Sequence, residues 1–254
     1  MKKKIVLITG GSSGIGLEMA KQMDKLDYTV LICGRSENKL DLVKKQVPSL
    51  HTYVCDVTDS KDRTSLFTKI NGQFGQLDML INNAGSTNRY LFNMEDMEKL
   101  ERYMDADYEI NQKSPILMAK LFQPLLEKSK GTIVNITSGL IYIPLFTKAS
   151  YCSNKAALHS LTKTLRYQLK DRGIHVQEIL YPEVNTPFQQ GDVSDRAIMP
   201  DEAAALAIKG LMEGKDEIHV KGVESIYKMY RSDPEKAFET FSSSIPNNIE
   251  EVLY

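Results

Sequence analysis

The chain has 254 residues, 42% hydrophobic and 26% charged, with a formal net charge of −1. That is the composition of a globular protein with a sizeable core, and its balance of charge excludes the basic footprint of a nucleic-acid binder or of a protein drawn to an anionic membrane. The three cysteines, Cys33, Cys55 and Cys152, make no CxxC pair and no disulfide framework, which points to a reduced, cytoplasmic setting. Lys2-Lys3-Lys4 ahead of Ile5-Val6-Leu7-Ile8 resembles the front of a signal peptide, but the apolar run stops at Thr9-Gly10-Gly11, too short for an h-region. No stretch reaches the ~20 apolar residues of a membrane span, so a soluble protein is expected.

Ile5-Val6-Leu7-Ile8 reads as a strand buried on both faces, and it runs directly into Thr9-Gly10-Gly11-Ser12-Ser13-Gly14-Ile15-Gly16. Leu17, Ala20, Met23 and Leu26 then continue at helical spacing. Strand, glycine turn and helix is the arrangement that seats a phosphate on the free amides of a helix N-terminus. A second strand, near 29–33, ends in Gly34-Arg35-Ser36, where a dinucleotide fold meets the adenosine ribose. An acid at that place binds the 2′-hydroxyl of NAD, and an arginine suits the 2′-phosphate of NADP. Arg35 therefore predicts NADP(H).

The alternation continues with a polar helix over 37–46, a strand near 52–55 leading to Asp56-Val57-Thr58, a helix over 59–74, and a strand at 79–81 leading to Asn82-Asn83-Ala84-Gly85. Strands and helices in turn imply a parallel sheet with right-handed crossovers, and ligands of such sheets lie beyond the carboxyl ends of the strands. Residues 108–127 read as one long helix that contains Asn111, a poor interior helix former. A strand over 132–137 delivers Ser138 to its carboxyl end, and an apolar loop separates Ser138 from Tyr151.

Tyr151 and Lys155 stand four apart at the head of a helix whose stripe is Leu158, Leu161, Leu165 and Leu169, with Ser150 as the expected N-cap. A phenol titrates near ~10; an adjacent ammonium lowers that value and makes tyrosine a usable general acid or base. His159 and Cys152, on the same helix, read as structural. His51, His175 and His219 show no ligand spacing, so no metal site is expected. A last main strand, 175–180, leads to Tyr181-Pro182-Glu183-Val184-Asn185-Thr186.

Pro200 opens a further helix, 218–220 is a short final strand, and Ser232-Asp233-Pro234 caps a helix carrying Ala237, Phe238 and Phe241. The Ser242–Ser244 run and Pro246-Asn247-Asn248 break that helix. No linker divides the sheet pattern. The expected architecture is α/β, a single Rossmann-type doubly wound parallel sheet of about seven strands with helices on both faces. The domain spans 1–230, and 231–254 form an extension, helical and then irregular.

Thr9-Gly10-x-x-x-Gly14-x-Gly16, Asn82-Asn83-Ala84-Gly85, Asn111, Ser138 and Tyr151-x-x-x-Lys155, taken together, resemble the short-chain dehydrogenase/reductase family over roughly residues 4–222. The run 151–160 and the Leu165-Arg166-Tyr167-Gln168-Leu169 that follows are similar to its DltE-type oxidoreductases, which implies a bacterial source. The resemblance implies an NADP(H)-dependent enzyme acting on a carbonyl/alcohol pair. Tyr151 would exchange the proton, Lys155 would lower the tyrosine pKa and hold the nicotinamide ribose, Ser138 would bind the reacting oxygen, and Asn111 would position a water behind the lysine. The implied cofactor site comprises Thr9, Gly10, Ser12, Ser13, Gly14, Ile15, Gly16, Arg35, Asp56, Val57, Asn83, Ala84, Gly85, Tyr151, Lys155, Pro182, Val184 and Thr186. Glu183 departs from the family's usual glycine, and its charge is expected to face substrate or cofactor. A homodimer or homotetramer is implied. A non-catalytic NADPH-sensing regulator on the same fold is the alternative.

Overall fold

The computed structural model describes residues 3–189 and 193–243. β1 (Ile5–Thr9) leads to α1 (Gly14–Lys25), β2 (Thr29–Gly34), α2 (Glu37–Gln46), β3 (His51–Val54), α3 (Ser60–Phe74) and β4 (Met79–Asn82). α4 (Met97–Tyr108) and α5 (Ser114–Ser129) precede β5 (Thr132–Ser138), α6 (Ala149–Leu169) and β6 (His175–Tyr181). The chain continues through α7 (Pro200–Met212), β7 (Glu217–His219), α8 (Val223–Ser232) and α9 (Pro234–Ser243). Among the described residues the strands form a seven-stranded sheet in the order β3-β2-β1-β4-β5-β6-β7. Every pairing is parallel. The order reverses between β1 and β4, and that switch point opens a crevice at the carboxyl ends.

The strand sequences are apolar at successive positions because both faces are covered. Val6 and Ile8 pack with Met19, Met23 and Ala207 from α1 and α7, whereas Ile5 and Leu7 pack with Leu66, Ile70 and Phe122 from α3 and α5. This is the expected doubly wound sheet. No helix among the described residues is long and apolar enough to cross a membrane.

Two local expectations are corrected. The helix expected over 108–127 is present but opens with a π-helical turn at Glu109–Lys113 before α5, and α4 extends it at the N-terminal side from Met97. α4 escaped notice because its pattern is inverted: Met97 is 78% and Met104 50% exposed, while its one buried residue is Asp107. Ser150 does not cap α6. The helix begins at Ala149, and the Ser150 hydroxyl donates to the Asp107 carboxylate. A buried carboxylate in need of donors takes that hydroxyl from its N-cap role.

α8 was not anticipated either. Val223 and Ile226 lie against Gly139, immediately after Ser138, and Tyr227 meets Tyr142 with ring centroids 4.9 Å apart. The boundary placed at residue 230 falls inside α8, and α9 follows at Pro234 with Ala237 buried. The Pro246-Asn247-Asn248 break lies outside the described residues.

Candidate active site

The glycine turn is built for close approach. Gly10 and Gly14 have φ of +66° and +55°, a region that disfavours side chains. A Cβ at Gly16 would lie 2.4 Å from Asn83 Nδ2 and 2.6 Å from the Gly10 carbonyl oxygen. The Gly10 carbonyl is backbone and cannot swing aside, so Gly16→Ala should destabilise the chain by about 1–3 kcal/mol. Chemical denaturation measures this; an unchanged midpoint would show that the turn is looser than its geometry. α1 begins at this turn with Ser13 extended, no side chain capping its first amides and no acidic residue in its first turn. Those amides and the helix dipole suit an anion, so the residues present fit a pyrophosphate.

Thr9 serves the cradle from behind. Its hydroxyl accepts from the Asn83 and Ala84 amides at 3.0 and 2.9 Å, and Asn83 Nδ2 donates to the Thr9 carbonyl at 2.9 Å. The two loops are thereby fixed edge to edge. At the end of β2, Arg35 is exposed, and Gly34 brings the backbone against Ser12, whose Oγ would lie 3.1 Å from a Cβ there. Asp56 is half-buried, with its carboxylate accepting from the Thr58 amide and hydroxyl, and Val57 is buried. Val184 makes a parallel bridge with Ile198, and Thr186 lies over Gly14. Pro182 is half-buried between them and β6.

Beyond the ends of β4 and β5 the polar side chains converge. The Tyr151 phenol comes close enough to the Ser138 hydroxyl to feel it; Ser138 Oγ donates to the Tyr181 carbonyl at 3.4 Å and accepts from the Leu140 amide at 3.2 Å. Lys155, 3% exposed, donates from Nζ to the Ile136 carbonyl at 2.8 Å. Its ammonium stands 5.8 Å from the Tyr151 ring centroid. Asn111 lies in the π-helical turn, its Nδ2 donating to the Ser86 and Asp107 carbonyls at 2.9 and 3.0 Å. Its Oδ1 is buried and without a partner among the described residues. A Cβ at Gly85 would lie 2.9 Å from that oxygen and 3.8 Å from Lys155 Nζ, so glycine lets the two face each other. A π turn is itself a frequent mark of a functional position.

The electrostatics differ from expectation. Burial, followed by the Cys152 thiol and the Asp107 carboxylate, pushes the Tyr151 phenol above its ordinary value, against a smaller opposing effect of the Ser138 hydroxyl. Lys155 does not offset this from its place on Ile136; burial instead brings the lysine down to about 8. Adjacency in sequence put the charges together, but both groups are buried and the ammonium is engaged by the Ile136 carbonyl.

Asp107 is the group sequence reasoning missed, lying in a stretch of charged residues that reads as surface. Two further differences concern charge. Glu183 turns toward the 193–198 loop, its carboxylate accepting from the Ser194 amide and hydroxyl, and not toward the cleft as expected. His159 pairs through Nδ1 with the fully buried Glu178 at 2.8 Å, and Glu217 comes within reach of both. Those three residues come from α6, β6 and β7, so no sequence spacing could have grouped them; Lys163 and Arg166 already approach Glu217, at 3.5 and 3.9 Å. Cys33 and Cys55, which form no disulfide, are both buried near the ends of β2 and β3.

The sequence matches the short chain dehydrogenase family over residues 4–197. It is 39% identical over 250 residues to the uncharacterized oxidoreductase DltE of Bacillus subtilis (strain 168), an alignment covering 96% of this chain and 98% of that one. It is 35% identical over 202 residues to an NADPH-dependent 1-acyldihydroxyacetone phosphate reductase of Schizosaccharomyces pombe, covering 77% of this chain and 66% of the relative. A short chain dehydrogenase from Burkholderia cenocepacia J2315, solved in complex with NADP, matches in fold with a TM-score of 0.82 at 22% identity, over 92% of this chain and 95% of that one. With the parallel sheet, the glycine turn and the full-length likeness to DltE in agreement, the chain belongs to the short-chain dehydrogenase family of oxidoreductases.

Proposed function

We propose that the protein is an NADP(H)-dependent oxidoreductase that interconverts a carbonyl and an alcohol, with Tyr151 as the group that moves the proton. The observation that carries this reading is the convergence of the Tyr151 phenol and the Ser138 hydroxyl at the end of β5, next to the crevice behind which Lys155 and the orphaned Asn111 oxygen lie. The nicotinamide, when bound, supplies or accepts the hydride. Ser138 Oγ holds the substrate oxygen, a bond that strengthens as charge develops there. Tyr151 gives its proton to that oxygen in reduction and takes it back in oxidation. Lys155 is the reserve of positive charge beneath the pair, and Asn111 Oδ1 holds a water that leads from the lysine to solvent.

Arg35 and Ser12 together favour the 2′-phosphate, and the reductase and the solved complex named above both take the phosphorylated cofactor. A charge-assisted contact of this kind is worth about 1.5–3 kcal/mol, so Arg35→Ala should weaken NADPH binding by roughly 10- to 100-fold and leave NADH nearly unchanged. Fluorescence titration with both cofactors decides it; equal binding by the parent chain would reject the assignment. A panel of aliphatic and aromatic ketones monitored by NADPH oxidation tests the activity. Phe188, 5.7 Å from the Tyr151 ring, and the apolar 139–146 loop suit a hydrophobic carbonyl compound. The unpartnered Met97, Met104 and Tyr108 on α4 and Tyr167 on α6 suit a homo-oligomer in the cytoplasm.

A further inference from the structure

Asp107 is 0% exposed, and every donor it receives is neutral. Ser150 Oγ and the Asn88 amide donate to Oδ2, and Asn88 Nδ2 donates to Oδ1 at 2.9 Å. These donors are not scattered. Ser150 is the residue before Tyr151, and its own amide donates to Tyr90 Oη at 3.1 Å. Ser86 follows the Gly85 that faces Lys155, and the Ser86 carbonyl takes the Asn111 side chain. The backbone carbonyl of Asp107 takes the same Asn111 amide, one turn on. One side chain thus closes a ring through the head of α6, the loop after β4 and the π-helical turn.

We propose that Asp107 is a positioning residue for the reaction: through Ser150 it fixes the first turn of α6 and so the Tyr151 hydroxyl, and through Asn88 it fixes the loop whose Ser86 carbonyl holds Asn111. An uncompensated buried carboxylate is costly to keep. A carboxylate here accepts from three donors on two segments at once, which a Leu cannot do and an Asn does only in part. The other titratable groups facing Tyr151 are Cys152 and Lys155, both from α6, with Lys148 acting on Cys152 from the turn before.

This rests on Tyr151 as the proton donor, and the test separates the two. The readout is kcat for ketone reduction at saturating NADPH, taken for each Asp107 variant alone and combined with Tyr151→Phe. The expected result is that Asp107→Asn and Asp107→Ser each lower kcat by about tenfold or more in the parent and by less than about twofold in the Tyr151→Phe background, because a positioning residue acts only through the hydroxyl it places. NADPH affinity should stay within about twofold in both, since neither touches the cradle. An unchanged kcat in whichever variants fold, or the same fold-loss in both backgrounds with only the melting temperature lowered, would make Asp107 structural and overturn the inference. If instead Tyr151→Phe reduces the ketone panel as fast as the parent, the proposed function falls, whatever the Asp107 variants do.

Discussion

Tyr151→Phe is expected to lower kcat for carbonyl reduction by about 10²- to 10⁴-fold, the range for removing a positioned general acid, with NADPH affinity within about twofold of the parent. The substitution keeps the ring, and with it the packing against Phe188. It removes only the hydroxyl that meets Ser138. Ser138 still receives the Leu140 amide, so its oxygen stays placed. Binding should therefore survive while the proton has no donor. Steady-state kinetics with NADPH held at saturation separate the two quantities, and a fall in kcat smaller than tenfold would mean that another group or water delivers the proton.

The sheet was legible because strands covered on both faces are apolar at most successive positions, as β1, β2 and β4 are, with β5 and β6 interrupted only by polar residues such as Asn135 and Glu178. The glycine turn was legible because backbone that approaches a neighbour to within 2.6 Å of a would-be Cβ leaves no other residue type. Tyr151, Ser138 and Lys155 were legible as positions but not as an electrostatic unit. Sequence spacing carries direction around a helix, not depth, and depth decided that burial outweighs the neighbouring charge at both groups. α4 and Asp107 were illegible for a related reason. Amphipathic pattern recognition seeks apolar residues inside, and α4 puts methionines outside and a carboxylate within. The donors to that carboxylate come from two segments remote from α4, the loop at Asn88 and the start of α6, and only the tertiary fold assembles them. Function here depends on groups that break the local rules, so the departures are where sequence reading ends and chemistry begins.

Lys155→Met should make the cofactor-free protein more stable and useless at once. Burial lowers the lysine from 10.5 to about 8, and at ~1.36 kcal/mol per unit the buried ammonium costs the fold roughly 3 kcal/mol at neutral pH. Methionine matches the length of the stem and removes the charge. It leaves the Ile136 carbonyl without its donor, which returns about 1 kcal/mol. The net expectation is a gain of about 2 kcal/mol at pH 7, measured by denaturant unfolding. The pH dependence identifies the cause. Between about 8 and 10.5 the unfolded lysine holds its proton while the folded one has released it, so the parent gains stability as pH rises through that window. Methionine titrates nowhere, and the advantage of the variant should shrink steadily toward pH 10. A variant less stable than the parent at pH 7, or an advantage that does not close at high pH, would mean that the ammonium is better solvated than its burial implies. If the advantage appears as expected, the fold is holding a costly charge under Tyr151 for its chemistry, and the loss of ketone reduction in the same variant shows what that charge is for.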